Sequence, residues 1–190
     1  MTSLQVFSVF QADSAQWVKF KMAKQSGDLI LLSQVISEAM NAIPMLLETL
    51  STAPYQLVPI PARPHRLLQR GMSPQHLFVE TLYDRFPKYF ITDTSYSLKR
   101  IKKTVPQTGL SRRRRLLAQQ NSLAYHPNKH RRMWEILCRP YSSKSTSPCN
   151  TPLILVDDVM TTGSTLAEAQ RAVQVAHSQV VALLTLFVVQ

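Results

Sequence analysis

No run of apolar residues in this 190-residue sequence approaches the length of a bilayer-crossing helix. No secretory leader is visible at Met1, and a cytoplasmic protein without an integral membrane segment is expected. Cysteine is nearly absent. Cys138 and Cys149 stand eleven apart with no Cys-x-x-Cys pair, so free thiols are expected rather than a disulfide framework or a zinc site. The five histidines (65, 76, 126, 130 and 177) lack metal-ligand spacing, and His177, late in an expected helix, reads as a partner of its C-terminal dipole. No Gly-x-x-x-x-Gly-Lys occurs, which excludes a Walker A loop, and no internal repeat is present. Acidic residues are missing between Asp93 and Glu135, where eleven of the 22 lysines and arginines fall. With a net charge of +11, such a field attracts polyphosphates, nucleic acid or anionic lipid heads, and composition does not choose among them. The length and apolar content fit one domain spanning 1–190.

What is present centres on Pro152 to Arg171. Leu153 to Val156 form an apolar run suited to a strand buried on both faces. Thr165 to Ala176 read as a helix, with Leu166, Ala169, Ala172, Val173 and Ala176 at core-facing spacing. The carboxylates Asp157 and Asp158 and the run Thr161-Thr162-Gly163-Ser164 lie between them, in an expected short polar loop. A strand, a loop and a helix N-terminus make a phosphate site, because backbone N–H groups and the helix dipole favour an anion there. The hydroxyls at 161, 162, 164 and 165 add donors, and Gly163 permits close approach or a positive φ. Carboxylates accept hydrogen bonds, so beside a phosphate pocket they suit the hydroxyls of an attached sugar. A ribose 5-phosphate fits both halves.

Elsewhere, Leu4 to Phe10 read as a first strand or extended arm, and Ala15 to Lys24 as a helix offering Trp17, Phe20 and Met22 as apolar surface. Gly27 breaks that helix. Asp28 then caps a longer one, Leu29 to Leu50, which Pro44 kinks or divides; Leu32, Val35, Ile36, Ala39, Ile43, Leu46, Leu47 and Leu50 form its inner face. Tyr55 to Ile60 read as a strand, followed by a rigid turn over Pro59 to Pro64 at its carboxyl end, where open α/β sheets bind ligands. Small Ala62 leaves room for an anion, and Arg63, Arg66 and Arg70 supply charge. Ser73-Pro74 opens a helix through about Tyr83, and Tyr89 to Ser97 form a weak strand. Leu98 to Arg115 begin as a mobile loop, with Ser111 capping a following helix. Met133 to Leu137 form a short strand or turn, and 139–151 a flexible insert. Gln179 to Val189 form a buried strand, so a βαβ unit and a mostly parallel sheet flanked by helices are expected.

The run from Leu153 to Thr165 resembles the phosphoribosyl-pyrophosphate (PRPP) motif of the type I phosphoribosyltransferases: four apolar residues, two acids, then Thr-Thr-Gly-Ser-Thr. With Val58-Pro59-Ile60-Pro61 leading to Arg70-Gly71, and Thr104, Gln107 and Leu110 in between, the chain resembles the ComF family of competence-associated, phosphoribosyltransferase-like proteins. It departs from that family in lacking an N-terminal four-cysteine ribbon, in carrying Met72-Ser73-Pro74 where Phe-Asn-Gln is usual, and in a blurred pattern around Ala118 to Tyr125. The resemblance implies a type I phosphoribosyltransferase-like α/β fold that displaces pyrophosphate from PRPP with a nitrogen nucleophile. It implies that Thr161, Thr162, Gly163, Ser164 and Thr165 hold the 5-phosphate and that Asp157 and Asp158 take the ribose hydroxyls. Pro61, Ala62 and Arg63 would cradle pyrophosphate, while Arg100, Lys102 or Lys103 close over it from the mobile loop; Asp157, Asp158 and Arg100 are the catalytic candidates. Lys21 is a further candidate for a phosphate. Mg²⁺ would be held by the substrate's own oxygens and water rather than by a protein cage. A rival reading is a non-catalytic competence adaptor that senses PRPP or a nucleotide, or binds single-stranded DNA through Arg112, Arg113, Arg114 and Arg115. Partners among competence proteins belong to both readings.

Overall fold

The computed structural model describes residues 5–50, 54–71, 73–91, 98–102, 120–126, 152–176 and 180–189. Five parallel strands form the central sheet, in the order β1-β7-β6-β2-β3: β1 (Gln5–Gln11), β7 (Val180–Val188), β6 (Leu153–Met160), β2 (Tyr55–Pro59) and β3 (Phe90–Ile91). The expected α/β class and parallel sheet are therefore what the chain adopts. A second, antiparallel ribbon joins β4 (Leu98–Arg100) to β5 (Leu123–Tyr125).

Alternation along the central strands feeds two cores. One contains Leu57, Ile154 and Val156 with residues of α1 (Ala15–Ser26), α2 (Leu29–Ala39) and α5 (Pro74–Arg85). The other contains Val58, Leu153, Leu155 and Leu183 with Ala169, Ala172 and Val173 of α6 (Ser164–Val175) and with the ribbon. The chain leaving β2 thus turns to one face, and the chain leaving β6 turns to the other. Strands β2 and β6 are neighbours, so the sheet's topology switches between their carboxyl ends, where open α/β sheets leave a crevice for ligands.

Local chemistry explains most boundaries. Gly27 takes φ 76° and ends α1, its N–H bonding the Ala23 carbonyl at 3.0 Å. Asp28 caps α2 by accepting the Leu31 N–H at 3.0 Å. The expected helix over 29–50 is divided at Met40–Ala42, and α3 (Ile43–Glu48) starts again with Pro44 in its first turn. Of its expected inner face, Leu32, Val35, Ile36, Ala39, Ile43 and Leu47 are buried, and Leu46 and Leu50 are half-buried against the same core. On α1, Phe20 is buried and Trp17 packs 5.2 Å from Phe187, whereas Met22 faces outward.

Four expectations are corrected. Strand β6 runs on to Met160, because β7 offers partners that far: Asp157 aligns with Thr185 and Met160 with Val188. Both acids therefore sit on a strand and not in a loop. Leu98–Arg100, expected in a mobile loop, are held as a strand by pairing with Leu123–Tyr125. The turn after β2 continues into a short helix, α4 (Pro64–Arg70), because Pro64 suits a first helical position. Helix α5 runs to Arg85 beyond the expected Tyr83, and Ser73 makes no capping bond; its hydroxyl lies 2.7 Å from His76 Nδ1. The helix expected after Ser111, the segment Met133 to Leu137, the insert at 139–151, Cys138, Cys149 and His177 lie outside the described residues.

Candidate functional site

The site is built where β2 and β6 end. The Ile60 N–H donates to the Val156 carbonyl at 2.8 Å, so the Pro61 to Arg63 turn begins level with Asp157 on β6. Past Met160 the chain bends through Thr161 and Thr162 to Gly163, whose φ of 68° starts α6. Asp157, every residue from 159 to 166 and Leu183 line one cavity. Thr161, Thr162, Gly163, Ser164 and Thr165 are thus brought together with one acid at a helix N-terminus. Thr162 Oγ1 donates to Ser164 Oγ at 3.2 Å, and Ser164 is buried.

The two acids diverge. Asp157 faces the cavity, and its Oδ1 accepts the Asp158 N–H at 2.9 Å. Asp158 turns to the opposite face, where its Oδ2 accepts a hydrogen bond from Lys24 of α1 at 2.7 Å. Lys24 also lies over the Phe20 ring, 4.9 Å from its centroid. Burial, and then the negative charge of Asp158, push the Asp157 carboxyl up to about 8. The Asp158 N–H, Lys24 and Arg100 only partly oppose this.

Arginines crowd the same corner. Arg100 Nε donates to the Pro61 carbonyl at 2.9 Å, while its buried Nη1 has no hydrogen-bond partner among the described residues. Burial and the like charge of Arg63 lower the Arg100 guanidinium, and Asp157 raises it in part. Arg63 is lowered by burial and by Arg66. Arg70 is lowered by the same two causes and pulled back by Asp158. Arg100 repels Arg63 beside Asp157, while Arg66 repels both Arg63 and Arg70, the latter near Asp158. An anion would relieve the repulsion among them.

Other candidates fall elsewhere. Lys102 is exposed, and Lys103 and Arg112 to Arg115 lie outside the described residues. Lys21 sits over the Trp17 ring at 5.4 Å; Lys24, three residues on, is the α1 lysine that reaches Asp158. No described group of three or more His, Cys, Asp or Glu residues comes together as a metal site. Among the described residues, no helix is long and apolar enough to cross a membrane.

Sequence reading missed Glu168 and Arg171. Glu168 is buried on α6, its Oε1 accepting the Leu123 N–H at 3.1 Å and Arg171 Nη2 at 2.8 Å. Its Oε2 accepts Arg171 Nε at 2.9 Å, and Arg171 Nη2 also donates to the Leu123 carbonyl at 3.1 Å. Burial raises the Glu168 carboxyl, but the Arg171 fork, the Leu123 N–H and the Asn121 backbone together bring it below its ordinary value. A signal was available: residues 164, 168, 169, 172 and 173 make one buried stripe, so a glutamate fell inside it.

No family model matches this chain, and no curated protein matches it. Among solved structures, it is similar to adenine phosphoribosyltransferase from Leishmania donovani, with 12% sequence identity and a TM-score of 0.46 over 98% of this chain and 85% of that one.

Proposed function

We propose that this chain is a phosphoribosyltransferase-like protein that binds PRPP or a related ribose 5-phosphate where β6 passes into α6. The observation that carries this reading is the single cavity joining Asp157 to the hydroxyl-rich run Thr161 to Thr165 at a helix N-terminus. The 5-phosphate sits on that N-terminus and Asp157 accepts from a ribose hydroxyl. The Pro61 to Arg63 turn and Arg100 face the pyrophosphate. Departure of pyrophosphate builds positive charge on the ribose ring and negative charge on the leaving group. An ionised Asp157 stabilises the first and fixed guanidiniums stabilise the second.

Mg²⁺ fits this corner only as a ligand-borne ion. One carboxylate and a few hydroxyls face the cavity, a donor set too small for a protein cage, so phosphate oxygens and water complete its shell. Its chemistry there is charge neutralisation. Membership of the ComF family, and with it a role in DNA uptake during competence, rests on the sequence motifs, of which Thr104, Gln107 and Leu110 lie outside the described residues. A second reading, a sensor that binds without turnover, is favoured by Asp158 being already paired with Lys24, which leaves one acid instead of two for the ribose.

Calorimetric titration with PRPP and Mg²⁺ tests the site. Asp157→Asn with Asp158→Asn should weaken binding by about 2–4 kcal/mol, with Asp157→Asn alone accounting for most of it. Equal affinity in wild type and double variant refutes the assignment. Pyrophosphate release in the presence of a panel of bases separates the transferase from the sensor.

A further inference from the structure

Arg100 and Leu123 are direct cross-strand partners in the β4–β5 ribbon. Leu123 is the residue whose N–H and carbonyl are both gripped by Glu168 and Arg171. The Ile101 N–H adds a bond to the Ser122 carbonyl at 2.9 Å. Helix α6 therefore does two things. Its first residues line the cavity, and one turn later it fixes the backbone opposite Arg100. Arg100 in turn reaches the Pro61 carbonyl and leaves Nη1 unpartnered among the described residues.

Bidentate arginine–carboxylate pairs hold geometry more tightly than a lone hydrogen bond, and this one is anchored by a carboxylate whose side chain is only 4% exposed. A short two-stranded ribbon has little stability of its own. Its height over α6 is set by what ties it down.

We propose that Glu168 and Arg171 are positioning residues for Arg100: they fix the distance between the hydroxyl-rich start of α6 and the guanidinium over the Pro61 turn, and so select a ligand with phosphates at both ends over one with a single phosphate. The selectivity rests on the ribose-phosphate reading of the cavity; the positioning itself does not. Neither residue touches the ligand. They act through the Leu123 backbone.

Two measurements on the full chain decide this, using Glu168→Gln and Arg171→Gln. The second variant changes a side chain that is 38% exposed and keeps the test usable if the first fails to fold. By NMR, hydrogen exchange at Arg100 Nε should accelerate about tenfold or more in each folded variant, as its bond to Pro61 loosens. Unchanged exchange overturns the proposal whatever the ligand is. By calorimetry, PRPP affinity should fall about tenfold while ribose 5-phosphate affinity stays within about twofold, because only the former reaches Arg100. Adding Arg100→Ala to either variant should cause no further loss. Parallel losses for both ligands, or losses that add to that of Arg100→Ala, point to a merely structural clamp and overturn the proposal. If wild type binds neither ligand, the ribose-phosphate reading fails and the exchange measurement alone decides the positioning.

Discussion

Asp157 and Glu168 are eleven residues apart and flank the start of the same helix, yet the fold treats them in opposite ways. Glu168 is gripped on both oxygens by Arg171 and Leu123 and is held ionised. Asp157 has one short backbone donor, a second carboxylate next door and cations at a distance, and it retains its proton to about pH 8. A saturated carboxylate holds structure together. An unsaturated one, facing a cavity, keeps acceptor capacity to offer.

Their linkage to pH runs in opposite directions. The lowered Glu168 contributes stability above its ordinary value and loses it as the solution is acidified. Asp157 is raised, so the unfolded chain gives up this proton near pH 4 while the folded chain keeps it to about pH 8. Over that window its contribution to stability falls as pH rises.

Breaking the comparison from the saturated side gives the largest effect. Glu168→Ala strands the buried Leu123 N–H and takes the carboxylate from a solvent-accessible Arg171, and should cost about 2 kcal/mol in a denaturant titration at pH 7. A loss under about 1 kcal/mol would show the fork to be ornamental. From the unsaturated side the sign reverses. Asp157→Asn should be stabilising above pH 8, with the gain vanishing toward pH 4. A pH-independent difference between the two stability curves would remove the raised carboxyl from the account. Gly163→Ala should have the smallest effect. Nothing crowds a Cβ there, but a φ of 68° strains any other residue, so about 1 kcal/mol of stability should be lost. If thermal melts of the two proteins superimpose, the turn into α6 is more tolerant than its backbone angle indicates.

The β6–α6–β7 unit was legible because its signals are local: an unbroken apolar run, a helix-spaced stripe and a second apolar run. Where β6 ends was not legible. Asp157 and Asp158 look like loop residues until β7, nine residues long, supplies strand partners beside them. The ribbon was hidden for a related reason. Leu98–Arg100 and Leu123–Tyr125 are three residues each, too short for any periodicity, and pair across an intervening basic segment. Of the site, Thr161 to Thr165 and Asp157 were readable as a motif. That Asp158 faces Lys24 depends on which face α1 packs against, a fact of tertiary packing. Gly27, which ends α1 with room for no bulky neighbour, brings that helix end to Arg70: a Cβ there would lie 3.3 Å from the Arg70 carbonyl oxygen.

A carboxyl pushed up to about 8 must surrender its proton before it can accept from a sugar with both oxygens as a charged group. Filling the cavity in near-neutral solution would then expel a hydrogen ion into the medium. The heat of complex formation would vary with the ionisation enthalpy of the buffer, and affinity would climb with alkalinity until Asp157 has already let go.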